Sequence, residues 1–287
     1  MWISDKWEDY KIIDASAGEK LELWGKYSLI RPDPQVIWKS DKRHRLWRDA
    51  DASYKRSSKG GGNWSENKLP ESWVISYCDL RFLIKPMGFK HTGLFPEQAA
   101  NWDFCRRLIE GANRPIKVLN LFAYTGGATV ACAKSGASVC HVDASRGMVN
   151  QAKENARLSG LSEAPIRYIV DDCKKFIERE IRRGNKYDAV IMDPPSYGRG
   201  PTGEIWKIEE CIDDFVSLTL GVLSDNPLFF ILNSYTTGLS ASTMKYITDL
   251  RLLKRYKGHS EADELGLRIS ESGLPLPCGS TVRVTFG

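Results

Sequence analysis

A chain of 287 residues is long enough for one large domain or two modest ones, each with a substantial core. Its 41 basic and 36 acidic residues are nearly balanced, and no apolar run approaches the roughly eighteen residues of a transmembrane helix, so a membrane-spanning helix is excluded. Met1-Trp-Ile-Ser-Asp-Lys-Trp-Glu-Asp9 is too charged for the apolar stretch of a secretory leader, and seven cysteines without a CxxC pair suggest neither a disulfide framework nor a zinc site. A cytoplasmic protein with reduced thiols and no metal is therefore expected.

Short alternating runs open the chain: Lys11 to Asp14, Leu21 to Leu23, Gln35 to Lys39, Trp73 to Cys78 and Arg81 to Ile84. Separated by turns, they predict a small antiparallel β domain over residues 1–90. The glycine-rich loop from Ser57 to Asn63 interrupts it and is expected to be mobile. Residues 31–68 hold ten Lys or Arg against five acids, interleaved with Trp38, Trp47, Tyr54 and Trp64. Cations meet phosphates and aromatic faces stack on bases, so the segment suits a nucleic-acid surface. Equally, Trp24, Trp38 and Trp73 suit the core of the β domain. We assign most of these tryptophans to the core, and Arg43, Arg45 and Arg48 to surface contact.

From about residue 98 the pattern changes to alternating helix and strand, giving a second domain over 91–287. A helix from Gln98 to Glu110 precedes a buried strand at Val118 to Leu121, and Gly126-Gly127 then turns the chain into the helix Ala128 to Lys134, closed by Gly136. Glycine permits positive φ and a close approach of the main chain to a ligand, although the pair also fits a plain strand-to-helix connection. Strands at 137–142, 166–170 and 187–192 end on Asp143, Asp171-Asp172 and Asp193. Acids at three successive strand ends lie on one rim, where open α/β sheets hold their ligands. Helix capping is the simpler reading for any one of Asp143, Asp171 and Asp172, and an improbable one for all three. Helices near 146–159, 172–183, 207–224 and 240–253, a fifth strand at 228–232 and closing strands at 264–269 and 280–286 complete the predicted order.

The segment Tyr124-Thr-Gly-Gly-Ala-Thr-Val130 lacks the three spaced glycines that admit a pyrophosphate. Here the chain resembles the class I S-adenosylmethionine-dependent methyltransferases. Within them it is most similar to the bacterial large-subunit ribosomal RNA base methyltransferases of the I and K/L types. The resemblance rests on Leu121-Phe-Ala-Tyr-Thr-Gly-Gly127, Val142-Asp-Ala-Ser145, Asn155, Asp171-Asp172, Asp193-Pro-Pro195 and the lead-in His91-Thr-Gly-Leu-Phe-Pro-Glu-Gln98, and spans roughly residues 90 to 240. It implies a Rossmann-like seven-stranded α/β sheet closed by an antiparallel hairpin, with S-adenosyl-L-methionine as cofactor. Phe122, Ala123, Tyr124, Thr125, Gly126 and Gly127 would wrap the methionine part. Asp143 would take the ribose hydroxyls, with Ala144 and Ser145 alongside. Asp171, Asp172 and the Cys173 backbone would approach adenine, and Thr92, Leu94, Phe95, Pro96 and Gln98 would cover the cofactor.

Asp193-Pro194-Pro195 carries the expected chemistry. Two prolines remove two backbone donors and leave their carbonyls to accept from a substrate N–H. Asp193 would orient the nucleophile, and Tyr197 would stack on a planar base or simply pack in the loop. Methylating a pyrimidine carbon instead requires a cysteine adduct. The family members that make 5-methylcytosine place that cysteine after the fifth strand, where this chain reads Asn233-Ser234-Tyr235. The expectation is therefore in-line methylation of a base nitrogen, with large-subunit ribosomal RNA as partner. The alternatives are an RNA-binding assembly factor with a vestigial cofactor site, a methyltransferase for 5-methylcytosine, protein or small molecules, and a nucleotide-dependent oxidoreductase.

Overall fold

The computed structural model describes residues 1–57, 61–65, 68–86, 91–199 and 205–287. Among them, no helix is long and apolar enough to cross a membrane. Two compact units emerge: Met1–Ala99 with Gly266–Cys278, and Ala100–Leu265 with Gly279–Gly287. The boundary expected after residue 90 falls at the edge of 87–90, outside the described residues.

The first unit holds β1 (Trp2–Ile3), β2 (Tyr10–Ser16), β3 (Glu19–Trp24), β4 (Tyr27–Pro32), the short helix α1 (Leu46–Asp49), β5 (Ala52–Arg56), β6 (Gly62–Ser65), β7 (Trp73–Tyr77) and β8 (Leu80–Ile84). β2 to β6 form a five-stranded sheet in sequence order, and β7 and β8 a separate hairpin. Ala17 and Gly18, both at positive φ, make the two-residue turn between β2 and β3 that suits strand twist. The β4–β5 pairing is parallel, a departure from the all-antiparallel expectation, because α1 and its flanking coil carry the chain back before β5.

Trp24, Tyr77, Phe82, Ile12, Leu21 and Leu29 are fully buried, so the core assignment holds for Trp24. Trp38 instead stands 38% exposed, its indole N–H donating to the Ala15 carbonyl at 3.0 Å. Its segment, Gln35 to Lys39, is no strand. Asp33-Pro34 turns the chain there, and its bonds to the β2–β3 turn are the Val36 and Trp38 carbonyls accepting from Gly18 and Ala17. The predicted 57–63 loop lies partly outside the described residues, and its tail Gly62–Asn63 is the start of β6.

The second unit contains α2 (Ala99–Gly111), β9 (Lys117–Leu121), α3 (Gly127–Lys134), β10 (Ser138–Asp143), α4 (Arg146–Leu158), β11 (Ile166–Val170), α5 (Cys173–Arg182), β12 (Ala189–Met192), β13 (Tyr197–Arg199), β14 (Ile205–Lys207), α6 (Ile208–Thr219), β15 (Phe229–Ser234), α7 (Ala241–Thr248), β16 (Gly258–Arg268) and β17 (Pro275–Phe286), the first residue of α2 and the tips of the last two strands belonging to the first unit. The sheet order is β16-β17-β15-β12-β9-β10-β11, the expected seven strands, with β9 to β12 and β15 parallel and β17 antiparallel to β15. At its β16 edge the short β1 adds an eighth strand, Ser4 N–H reaching the Gly266 carbonyl at 3.0 Å within the first unit.

Alternation along β9 explains why both faces are covered. Leu119 and Leu121 join Phe176, Ile177, Phe215 and Phe230 on one side, while Val118 joins Phe104, Ile109, Cys132 and Ile231 on the other. Each fully buried aliphatic or aromatic side chain contributes about 1.5–3 kcal/mol. The same strands therefore join both core clusters and fix the level of the rim above them.

Candidate active site

Register places the rim. Leu121 pairs with Val142 and with Met192, Asp143 with Val170, and Met192 with Leu232, so five parallel strands end at one level. The chain runs from β9 through β10 to β11, then crosses back to β12 on the other side of β9. The switch point is therefore between β9 and β12, where the loops opened by Phe122 and Asp193 emerge.

The turn after β9 is more contorted than glycine alone accounts for. Phe122 and Tyr124 have φ of 52° and 51°, and Gly126 follows at 81°. Non-glycine residues at positive φ carry strain that the surroundings must hold, and such strain gathers at functional sites. Here Phe122 N–H donates to Cys173 Sγ (3.3 Å), Ala123 N–H to the Val142 carbonyl (3.0 Å) and Tyr124 N–H to Asp143 Oδ2 (2.8 Å), while Asn155 Nδ2 holds the Thr125 carbonyl (2.8 Å). The structure corrects the role expected of Gly127. Only Gly126 has positive φ; a Cβ on Gly127 would lie 2.5 Å from Trp102 Cζ2, and one on Gly126 2.8 Å from Ala152 Cβ. Both glycines make room for protein packing.

The rim acids divide by role. Asp172 caps α5, accepting from Lys175 N–H at 2.9 Å, and remains exposed. Asp171 accepts from Asp172 N–H at 2.9 Å and pairs with Arg179. Asp143 caps nothing, because Ser145 is the N-cap of α4. Its two oxygens accept from Tyr124 N–H and Ser145 N–H, both at 2.8 Å. Burial pushes its carboxyl pKa up, and those two bonds oppose the rise. Each oxygen has a second lone pair, so the half-buried carboxylate retains acceptor capacity for a pair of hydroxyls. Ala144 and Ser145 are exposed beside it.

Below the turn, Asn120 Nδ2 donates to Thr129 Oγ1 and Thr129 Oγ1 contacts His141 Nδ1, each at 2.9 Å, joining β9, α3 and β10. His141 Nε2 is buried without a hydrogen-bond partner, and burial pushes the imidazole pKa down to about 3. Cys173 is 3% exposed, and burial raises its thiol pKa far above the ordinary range. It is a packing group that anchors Phe122, inert as a nucleophile.

Across the switch point, the carbonyl of Pro195 is engaged: Trp206 Nε1 donates to it at 2.6 Å. Of the two prolyl carbonyls expected to await a substrate, one thus has a partner from β14. Ser196 Oγ accepts from Thr236 Oγ1 at 2.6 Å, further fastening the loop. Tyr197 is 51% exposed in β13, whose antiparallel pairing with β14 sequence patterning did not reveal. Pro194 is buried, Asp193 half-buried. Phe122, Trp206 and Phe215 pack mutually with ring centroids 5.4–5.6 Å apart. Trp206 and Phe215 line a cleft of about 520 Å³ that also takes in Asp172, Lys175, Glu178 and Glu210. Nothing in their spacing announced Trp206 and Phe215 as site residues.

At the end of β15, Asn233 is 2% exposed, its Oδ1 accepting from Asn101 Nδ2 at 2.9 Å; Asn101 Oδ1 in turn accepts from Arg283 Nε at 2.8 Å. This position is locked into a structural network. The lead-in residues fold in the first unit: Thr92 and Leu94 are buried, Gly93 turns at φ 92°, and the Pro96 carbonyl accepts from Trp7 Nε1 at 3.0 Å. Phe95 is half-buried against His91, and Gln98 is buried.

A switch-point turn held by a strand-end aspartate, above a three-layer sheet closed by an antiparallel strand, defines a nucleoside-cofactor methyltransferase fold. Residues 16–207 match the S-adenosylmethionine-dependent methyltransferase family, and the chain belongs to it. Its cofactor is accordingly S-adenosylmethionine. A crystal structure of a SAM-dependent methyltransferase from Agrobacterium tumefaciens superposes with a TM-score of 0.91 at 36% identity, covering 99% of this chain and 92% of that one. A putative methyltransferase crystallised with SAH shares the fold, with a TM-score of 0.76 at 18% identity over 98% of this chain and 76% of that one. Among curated relatives, the ribosomal RNA large subunit methyltransferase K/L of Shewanella frigidimarina is 34% identical over 148 residues, 51% of this chain and 20% of that protein. Methyltransferase I of Aeromonas hydrophila is 34% identical over 119 residues, 41% and 29% of the respective chains. The chain therefore spans between about a fifth and a third of these curated relatives.

Proposed function

We propose that this methyltransferase acts on a nitrogen of a base in RNA, with ribosomal RNA as the favoured substrate. The observation that carries the reading is the contrast at the switch point. Asp193 stands at the end of β12 beside the cofactor turn, while the β15 terminus offers a locked Asn233 and no thiol. A nitrogen lone pair needs alignment and exclusion of water, and a ring carbon needs a covalent adduct.

In this reading Asp143 accepts the ribose hydroxyls, the strained Phe122–Gly127 turn encloses the methionine part, and Asp171, Asp172 and the Cys173 backbone face adenine. Trp206 and Phe215 offer flat walls to that ring. The bound cofactor supplies an electrophilic methyl group on sulfonium. Asp193 orients the substrate N–H, the Pro194 carbonyl accepts from it, and Tyr197 stacks on the base. Trp206 holds Pro195 and keeps the loop in position. The resemblance adds Thr92, Leu94, Phe95, Pro96 and Gln98 as cofactor contacts. Support for RNA comes from the names of the curated relatives and from the basic segment 31–68.

The test is methyl transfer from labelled S-adenosylmethionine to RNA of a strain lacking the gene, followed by nucleoside mass analysis. A methylated base nitrogen is expected. Label confined to protein or small molecules contradicts the RNA assignment. Calorimetry with S-adenosylhomocysteine distinguishes a vestigial site, which would bind no better than its Asp143→Ala variant.

A further inference from the structure

The five-stranded sheet of the first unit carries a cup of about 300 Å³, near the lower end of ligand-binding sizes. Its floor follows the register: Leu21 pairs with Ile30, Ile30 with Ser53 and Ser53 with Ser65, so a row crosses four strands from apolar to hydroxyl. Lys55, two residues beyond Ser53, projects from the same face. The segment before β5 supplies the wall. Trp47 is fixed by its indole N–H to Asp14 Oδ2 at 2.9 Å, and Lys42 lies over its ring at 4.1 Å.

Charge is unbalanced inside this cup. Lys42 is neutralised by Glu19 at 2.8 Å, whereas Arg48 and Lys55, both exposed, have no carboxylate within ion-pair distance among the described residues. Two cations with no carboxylate partner among the described residues, facing one concavity, repel each other, and an anion placed between them relieves that repulsion. Lys42 covers the open face of Trp47, so base stacking is disfavoured there and a charged group is favoured. A concave cup suits one phosphodiester of a flexible strand better than the plane of a membrane.

We propose that Arg48 and Lys55, above the Ser53 and Ser65 floor, bind a backbone phosphate of the RNA substrate, giving the enzyme a capture site in its first unit. This rests on the RNA reading above. The contact is sequence-independent and strengthens binding without selecting the methylated base.

The experiment uses the full chain and a fluorescein-labelled single-stranded RNA of mixed sequence, with anisotropy titrations across a salt series. The R48A/K55A double variant is expected to bind about tenfold more weakly at low salt. The slope of log affinity against log salt should fall by about 0.7, the value for one lost phosphate contact on a single strand. Thermal unfolding and S-adenosylhomocysteine affinity should match the wild type, because both residues are exposed. K254A/K257A, removing equal charge from the second unit, should lose less. Unchanged affinity and slope in R48A/K55A, or an equal loss in the control, overturns the assignment. Weakened binding to phosphatidylglycerol vesicles with RNA affinity unchanged overturns it in favour of lipid. If the wild type methylates RNA while R48A/K55A retains full affinity, the capture site alone fails. If the wild type neither binds nor methylates RNA, both readings fail.

Discussion

Asp143 combines two demands on one carboxylate. It anchors the strained turn through Tyr124 and Ser145, and its remaining lone pairs are the ones proposed to accept the ribose hydroxyls. Asp143→Ala is expected to weaken S-adenosylhomocysteine binding by about ten- to a hundredfold by calorimetry, since a hydrogen bond to a charged group contributes about 1.5–3 kcal/mol. Because burial raises this carboxyl pKa, the ionised acceptor is present above that raised value and is lost as pH falls through it. Wild-type affinity should therefore fall on acidification earlier than for an ordinary aspartate, and that of Asp143→Asn should stay flat. His141 gives the opposite linkage to folding. Its folded pKa of about 3 lies below the ordinary value, so the unfolded chain takes the proton first and stability falls as pH drops below about 6.5. Urea titrations should show a slope approaching about 1.4 kcal/mol per pH unit near pH 5, reduced in His141→Gln.

At the scale of elements, β9, the turn and α3 behave as one device. Gly127→Ala drives a methyl group into Trp102 and is expected to cost about 1–3 kcal/mol of stability. Pairing it with Trp102→Leu should recover part of that loss in urea titrations. Losing only the indole N–H in Trp206→Phe frees the Pro195 carbonyl while keeping an aromatic ring beside Phe122. Turnover should fall about tenfold, with S-adenosylhomocysteine affinity changed far less, because a displaced loop costs alignment more than cofactor binding. Strand ends were legible in the sequence because apolar runs stop abruptly on Asp143, Asp171 and Asp193. The β13–β14 hairpin was not, since its strands have three residues each and no alternation to read. Gln35–Lys39 alternates like a strand, but Asp33-Pro34 directs it into a coil that pairs with no strand.

For the whole molecule, the order of alternating elements sufficed to set out the strands and the ligand rim, while the cofactor and the closing hairpin came from the motifs that carry the family resemblance. The purposes of individual residues depended on tertiary contacts that spacing does not encode. Gly127 meets Trp102, Asn233 meets Asn101 across 132 positions, and Trp206 closes on Pro195. The same limit applied to the basic segment 31–68 of the first unit. Its charge excess was visible, while the cup that gathers Arg48 and Lys55 required the β4–β5 register. The destination of the methyl group decides the function. Purified protein, tritiated-methyl cofactor and ribosomal RNA from a strain lacking the gene should yield label in the RNA, at a base nitrogen, strongly diminished with Asp193→Ala. Label on the C5 carbon of cytosine, or in protein with none in RNA, would contradict it.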